Sequence, residues 1–253
     1  MAHYSKGAHI CFSVQVDKDL KKLSKRFKAK VSKESIDHFR ALQKFEHEHT
    51  AIEIKELLGL KRKPSANVFK ESDERGRIYP GYYCPVIVFE NNERNIKLMR
   101  YRVRPNNSNE EIPSKYNVFN ARLDALEKRK TWQSIFTKNH CLFPFKKFYE
   151  WVEDENKKKK LISFTPQDRD TMWAPAIYDQ WTSNNKEISF ESFALLTNDP
   201  PKEVEEMGHD RCPIFLKENH IDDWLQPNKF NKQDLYKFLK QKEPVFYNYK
   251  FTN

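Results

Sequence analysis

From Ala66 onward, short runs of aromatic and β-branched residues alternate with turn residues, and this patterning constrains the fold more than any other feature of the sequence. Tyr83 to Phe89, Ile96 to Val103, Leu161 to Phe164, Trp173 to Tyr178 and Phe190 to Thr197 each read as a strand. Signals such as Tyr79-Pro80-Gly81 and Asn91-Asn92 separate them. Cys11 to Val16, Asn67 to Phe69, Asn117 to Arg122 and Pro213 to Leu216 read as shorter strands. Ahead of them, Leu20, Leu23 and Phe27 recur at helical spacing after Asp17, a candidate N-cap. Ile36, Phe39, Leu42 and Phe45 mark a second helix, and a third is expected over 124–138, burying Leu126, Trp132, Ile135 and Phe136. A last helical pattern surrounds Leu235, Phe238 and Leu239. Helices followed by many strands with few crossovers predict one α+β domain with a mostly antiparallel sheet.

The densest pattern runs from His140 to Val152 and encloses a single carboxylate, Glu150. Side chains alternate along a strand, so Tyr149 and Trp151 take one face while Phe148, Glu150 and Val152 share the other. A carboxylate between Phe and Val loses hydration, which disfavours its charged form and raises its pKa. A general acid or proton shuttle for neutral pH is made in this way. A structural Glu paired with an Arg or a backbone amide fits the same strand.

Lys and Arg total 46 against 36 Asp and Glu, a net charge of +10, which favours an anionic partner, nucleic acid or a membrane surface. Aromatic residues make up 14% of the 253 residues, and rings interleaved with cations suit single-stranded nucleic acid, where bases stack and phosphates pair. Arg100, Arg102 and Arg104 lie two apart and share one strand face, a candidate phosphate track; the wet side of an edge strand has the same pattern. No run approaches the roughly 18 apolar residues that span a bilayer. Met1 to Ile10 lacks the apolar middle of a signal peptide. Cys11, Cys84, Cys141 and Cys212 are scattered, which supports neither a metal site nor a disulfide framework. No cofactor is expected, and the location read from this cysteine usage is reducing and cytoplasmic. His38, His47 and His49 read as solvated helix-face residues.

Four features fall in a specific order: Cys11 near the start, Asn120-Ala121-Arg122-Leu123-Asp124, Phe148-Tyr149-Glu150-Trp151, and His209-Asp210-Arg211-Cys212-Pro213. This order resembles the SOS-response-associated peptidase (SRAP) family, the sensors of abasic sites in single-stranded DNA. Asn67-Val68, the strand from Leu98 to Pro105, and Thr197 at the end of the strand before the His motif add lesser echoes. In the family the cysteine directly follows the initiator Met, whereas here ten residues precede Cys11. Tyr101 stands where the family has Trp, and Asp124 where it has Glu.

The resemblance implies a partly barrel-like SRAP domain over 11–253, with 1–10 as a mobile extension or propeptide. It also implies that the Cys11 α-amine attacks the aldehyde of an abasic sugar and that the thiol then closes a thiazolidine, a covalent DNA–protein link. Glu150 would shuttle protons, His209 would assist ring opening, and Asn120 would orient the cysteine. Arg122 and Arg211 would hold flanking phosphates, joined by Thr197 and the Arg100, Arg102 and Arg104 row, with Tyr101 and Trp151 as walls or stacking surfaces. Abasic single-stranded DNA is then the partner of a monomer, with no membrane and no obligate protein partner. Two other readings use the same residues: a thiol peptidase that cleaves its own N-terminal extension, and a single-strand-binding module without chemistry. Simpler roles stay open for each residue: a buried thiol for Cys11, a helix cap for Asn120, a turn histidine for His209, and pairing of Arg122 and Arg211 with Asp124 and Asp210.

Overall fold

In the computed structural model, which describes residues 13–153 and 158–252, the strand patterns assemble into two sheets around shared apolar cores. The five-stranded sheet contains, in spatial order, β14 (Tyr247–Thr252), β10 (Lys159–Pro166), β9 (Lys147–Glu153), β1 (Ser13–Gln15) and β4 (Arg77–Ile78), all antiparallel. The nine-stranded sheet runs β13 (Cys212–Pro213), β12 (Ser189–Asn198), β11 (Met172–Thr182), β8 (His140–Phe145), β5 (Tyr82–Glu90), β6 (Glu93–Tyr101) and β2 (Lys30–Val31). Beside it, β7 (Asn120–Arg122) pairs with β12 and β3 (Lys70–Glu71) with β5. The architecture is mixed α+β with a largely antiparallel, partly barrel-like sheet, as the patterning predicts.

Closure comes from one long-range contact. Strand β12 pairs in parallel with β6, Ser192 opposite Arg100 and Phe193 opposite Tyr101, which joins β6, β5, β8, β11 and β12 into a ring. Inside it pack Tyr101, Phe143 and Phe193, with the Tyr101 ring 5.3 Å from Phe193 and 5.7 Å from Phe143. Strand β8 is buried on both faces, which is why it reads as a continuous apolar run. Cys141, Phe143 and Phe145 face the ring interior, and Leu142 faces the helices. One residue later, at Lys146, the chain passes into β9 and the smaller sheet. This crossing delivers Glu150 from the core of one sheet to the other.

Helices cover the outer face. In α1 (Leu20–Phe27) the N-cap is Asp19, whose carboxylate accepts from the amides of Lys21 and Lys22. Asp17, the expected cap, is instead buried between Lys146 at 3.2 Å and Lys22 at 3.6 Å. Helix α2 (Lys33–Glu48) is capped by Ser32 and buries Phe39 and Leu42, and α3 (Ala51–Leu57) carries a capping box of Thr50 and Glu53. Helices α6 (Ile221–Leu225) and α7 (Lys232–Lys240) pack Trp224, Leu225, Leu235 and Leu239 onto the core beneath β8.

Three expected elements take other forms, one of them Pro213 to Leu216, of which only Pro213 lies in a strand, β13. Over 124–138 there is a 3-10 turn at Leu123–Ala125 and a short α4 (Lys130–Gln133), although Leu126, Trp132, Ile135 and Phe136 are all buried as the spacing predicts. The Gln133 side chain donates to the Glu127 carbonyl, taking the acceptor that a continuous helix would use. Asn67 to Phe69 is not a strand, because the Glu46 carboxylate accepts from the backbone amides of Val68 and Phe69 in place of a strand partner. Cys11 and the 1–10 segment lie outside the described residues. Among the described residues no helix is long and apolar enough to cross a membrane.

Candidate functional site

Glu150 sits in mid-β9, between β1 on one side and β10 on the other. Phe148 and Val152 are buried on its face; on the other face Trp151 is 43% exposed, and Tyr149 is buried with the Arg77 guanidinium 4.0 Å over its ring. The carboxylate itself is 1% exposed, and Glu150 Oε2 lies 3.7 Å from Nδ1 of His209, which is 3% exposed. That separation is longer than a hydrogen bond, and it becomes an ion pair only when the imidazole is protonated.

A backbone reversal brings His209 there. After α5 (Lys202–Glu205), Gly208 adopts φ +87°, a left-handed conformation suited to glycine. The chain then turns His209 inward and Asp210 outward before β13 joins the end of β12. On its other side the same end of β12 holds β7, with Leu195 opposite Asn120 and Thr197 opposite Arg122. Asn120 is thereby buried, and its side-chain oxygen accepts from the Tyr101 hydroxyl at 2.9 Å. Asn117 fixes the approach by accepting from the amides of Phe119 and Asn120.

Around these groups opens a cavity of about 750 Å³ with Asn120, Arg122, Glu150, Trp151 and Arg211 in its wall. Five residues from three separate sequence motifs therefore meet at one place. Arg122 donates through Nε and Nη2 to both oxygens of Asp124, at 2.7 and 3.0 Å, and lies 3.9 Å from Asp210. Those hydrogen bonds hold the Asp124 carboxyl below the usual carboxylate range. Arg211 lies 3.6 Å from Asp210. Both arginines thus combine a place in the cavity wall with a carboxylate neighbour.

The remaining expectations are corrected by burial. Arg100, Arg102 and Arg104 do not form a phosphate track. They surround the buried Glu111 carboxylate at 2.9, 3.5 and 3.8 Å, and the Arg104 guanidinium lies 3.4 Å over the Trp181 ring. Burial lowers the Arg104 pKa to about 10, while Glu111 is held below its ordinary value because the arginines, Arg100 foremost, outweigh its desolvation. The strand pattern does not reach that far: β6 ends at Tyr101, and the segment carrying Glu111 closes over Arg100 and over Arg102 and Arg104 beyond it. Tyr101 is fully buried and cannot stack on a base. Thr197 is also fully buried, between β7 and β13, and is absent from the cavity wall.

The cavity also has members that sequence reasoning missed. Tyr116 is 53% exposed at its edge, with Lys115, Lys128 and Arg129 nearby in the wall. The cations on the Glu127 to Lys130 run and the aromatic in Ser114-Lys115-Tyr116 were visible as residue types, but no spacing joined them to Glu150. The assembled chemistry is a buried carboxyl next to an imidazole, a carboxamide held by a phenol, and a basic, part-aromatic rim. The chemistry of such a site suits an anionic ligand with an aromatic or apolar portion, with a carboxyl and an imidazole at its inner end.

Comparison with known proteins agrees in fold and family. A family model described as SOS response associated peptidase (SRAP) matches residues 20–250. The abasic site processing protein YoqW of Bacillus subtilis (strain 168) is 23% identical over 125 residues, 49% of this chain and 55% of that protein. The abasic site processing protein YMR114C of Saccharomyces cerevisiae is 27% identical over 181 residues, 70% of this chain and 46% of that protein. The chain thus spans about half the length of these curated relatives. A crystal structure of a protein from Bordetella bronchiseptica superposes with a TM-score of 0.66 at 19% identity, covering 96% of this chain and all of that one (100%). One from Bacteroides thetaiotaomicron does so with a TM-score of 0.62 at 16% identity, covering 96% and 92%.

Proposed function

This chain belongs to the SOS response associated peptidase (SRAP) family, and from that premise we propose that it processes abasic sites in single-stranded DNA by covalent capture through Cys11. The observation that carries the proposal is the buried Glu150–His209 pair, whose carboxylate reaches the wall of a cavity shared with Asn120, Arg122, Trp151 and Arg211. β1 begins at Ser13, two residues after Cys11, and Ser13 pairs with Tyr149, next to Glu150 in the chain.

The chemistry balances without a cofactor. The Cys11 α-amine adds to the ring-opened aldehyde and loses water to give an imine. Its thiol then adds to the imine carbon, the C–S bond forms, the thiol proton moves to nitrogen, and a five-membered thiazolidine results. Amine and thiol stand on adjacent carbons, so the second addition is intramolecular and favoured by proximity. An α-amine titrates near ~8, which leaves a neutral, nucleophilic fraction at neutral pH. Glu150 carries protons to and from the sugar oxygen and the departing water, His209 supports it across the 3.7 Å gap, and Asn120 orients the cysteine. Arg122, Arg211 and the rim lysines bind the phosphates, and Trp151 walls the sugar. The α-amine must be free, so Met1–Ile10 has to be absent from the active form, and self-cleavage by the Cys11 thiol is one route to that form. The protein acts as a monomer in the cytoplasm, on DNA.

A denaturing gel after incubation with abasic single-stranded oligonucleotide tests this reading. A retarded band that an intact oligonucleotide does not produce supports capture. A salt-sensitive complex that disappears on denaturation identifies a binding module without chemistry and rejects it.

A further inference from the structure

The core face of the five-stranded sheet extends past the Glu150 site to the outermost strand. β9, β10 and β14 are antiparallel neighbours whose register aligns Glu150 with Ile162 and Phe251, and Phe148 with Phe164 and Tyr249. Residues directly opposite one another share a face, so Tyr249 and Phe251 point to the side that carries Glu150. Ring contacts agree: the Phe164 ring lies 6.5 Å from His209 and 6.4 Å from Tyr249. Coverage, however, stops at β10. Phe148, Ile162 and Phe164 are fully buried, whereas Tyr249 is 49% and Phe251 48% exposed. Two half-wet rings on the core side of a sheet are apolar surface that no described residue fully covers. With strands about 4.8 Å apart, Phe251 lies about 10 Å across the sheet from Glu150. At about 3.4 Å per stacked nucleotide, that is about three nucleotides.

We propose that Tyr249 and Phe251 form a stacking ledge for the bases of single-stranded DNA that adjoin the abasic site. The proposal rests on the abasic-site reading above and adds to it the surface that receives the flanking strand. Charge favours this occupant. Exposed Lys158, Lys159, Lys160 and Lys250 lie on or beside β10 and β14; the register puts Lys160, opposite Val152, on the face of the two rings, and Lys159, opposite Glu153, and Lys250 on the other. Aromatic faces bordered by exposed lysines suit a polyanion whose bases lie open, and duplex DNA hides the base faces that the rings need. The rival occupant is a second copy of this chain, because β14 pairs with β10 on one side and with no other described strand.

The test uses the full chain, a Tyr249→Ala/Phe251→Ala variant, and a Tyr249→Leu/Phe251→Leu variant that keeps apolar cover on the edge if the alanine protein unfolds. Each is titrated with an abasic single strand of about 15 nucleotides, carrying a fluorescent aminopurine base at successive positions on either side of the lesion. Wild-type protein is expected to change aminopurine emission at positions within about three nucleotides on one side of the lesion. Both variants are expected to lose that change and to bind about tenfold or more weakly, the scale of losing base stacking. Wild-type affinity and an unaltered emission profile in the variants, with normal crosslinking by the wild type, overturn the ledge. A shift in oligomeric state with DNA binding intact assigns the strand to self-association and also overturns it. If no protein crosslinks, yet the emission change appears in the wild type and vanishes in the variants, the capture reading fails and the ledge stands.

Discussion

Glu111→Gln should destabilise the protein severely, and the size of the loss follows from what the carboxylate faces. Arg100, Arg102 and Arg104 approach it at 2.9, 3.5 and 3.8 Å, and all four side chains are largely or wholly buried. Glutamine keeps the shape and one acceptor for Arg100, but it removes the carboxylate that, among the described residues, these arginines share, and leaves their mutual repulsion uncompensated. Removing one partner from a buried ion pair costs about 3–5 kcal/mol, and the retained acceptor places this case near about 3 kcal/mol. Total stabilities of about 5–15 kcal/mol make that a large fraction. Equilibrium urea unfolding of both proteins at pH 7 measures it. The pH dependence gives a second readout. The Glu111 pKa is lowered in the fold from an ordinary value of 4.5, so its contribution is complete above about 4.5 and disappears as pH falls through the folded value. The gap between wild type and variant should therefore narrow in acid. A loss below about 1 kcal/mol, or a gap that does not change with pH, would mean that the arginines are solvated and would restore them as phosphate contacts.

Glu150→Gln should retain the fold and DNA binding while slowing crosslinking about 10²-fold or more, the usual scale of general acid–base help; single-turnover gels read it, and a wild-type rate removes the proton-shuttle role. Lys128→Gln/Arg129→Gln, at the cavity rim, should make the dependence of single-strand affinity on log salt shallower by about 1.4, from about 0.7 per phosphate contact; an unchanged slope places the phosphates elsewhere. Burial depresses the His140 pKa from 6.5 to about 4, against the opposing pull of the Phe136 and Trp224 carbonyls that face its two ring nitrogens, so its unfolded form gains a proton first and stability should fall as pH drops from 6.5 towards 4. At about 1.4 kcal/mol per tenfold change in proton affinity the loss approaches about 3 kcal/mol, and a His140→Gln protein should lack this part of the acid slope in denaturation series.

Local rules carried much of the reading. Period two along β9 placed Phe148, Glu150 and Val152 inside and Trp151 outside, because alternation is a property of one strand alone. Motif order anticipated that Asn120, Arg122, Glu150, Trp151 and Arg211 would meet, although the strands that bring them together are distant in sequence. Spacing was silent about what covers a face. Arg100, Arg102 and Arg104 do converge, but on the buried Glu111 carboxylate, and only Arg100 belongs to β6, which ends at Tyr101. Tyr101 and Thr197 failed because each lies where strands close on both sides. The exposed ring of Tyr116 sits in a loop without periodicity, so only the folded cavity relates it to Glu150. The expected helix over 124–138 buried the right residues with the wrong backbone, since one side-chain bond from Gln133 interrupts it.

The central claim is that Cys11, with its amine free, is the atom donor to the DNA. Mass spectrometry of the protein crosslinked to an abasic single strand, isolated from the unreacted pool and digested, tests it most directly. The predicted DNA-bound peptide begins at Cys11, and its mass equals peptide plus abasic sugar less one water, with no crosslink from a Cys11→Ala protein. A linked peptide that still carries Met1–Ile10, or a linkage through any other residue, would contradict the account.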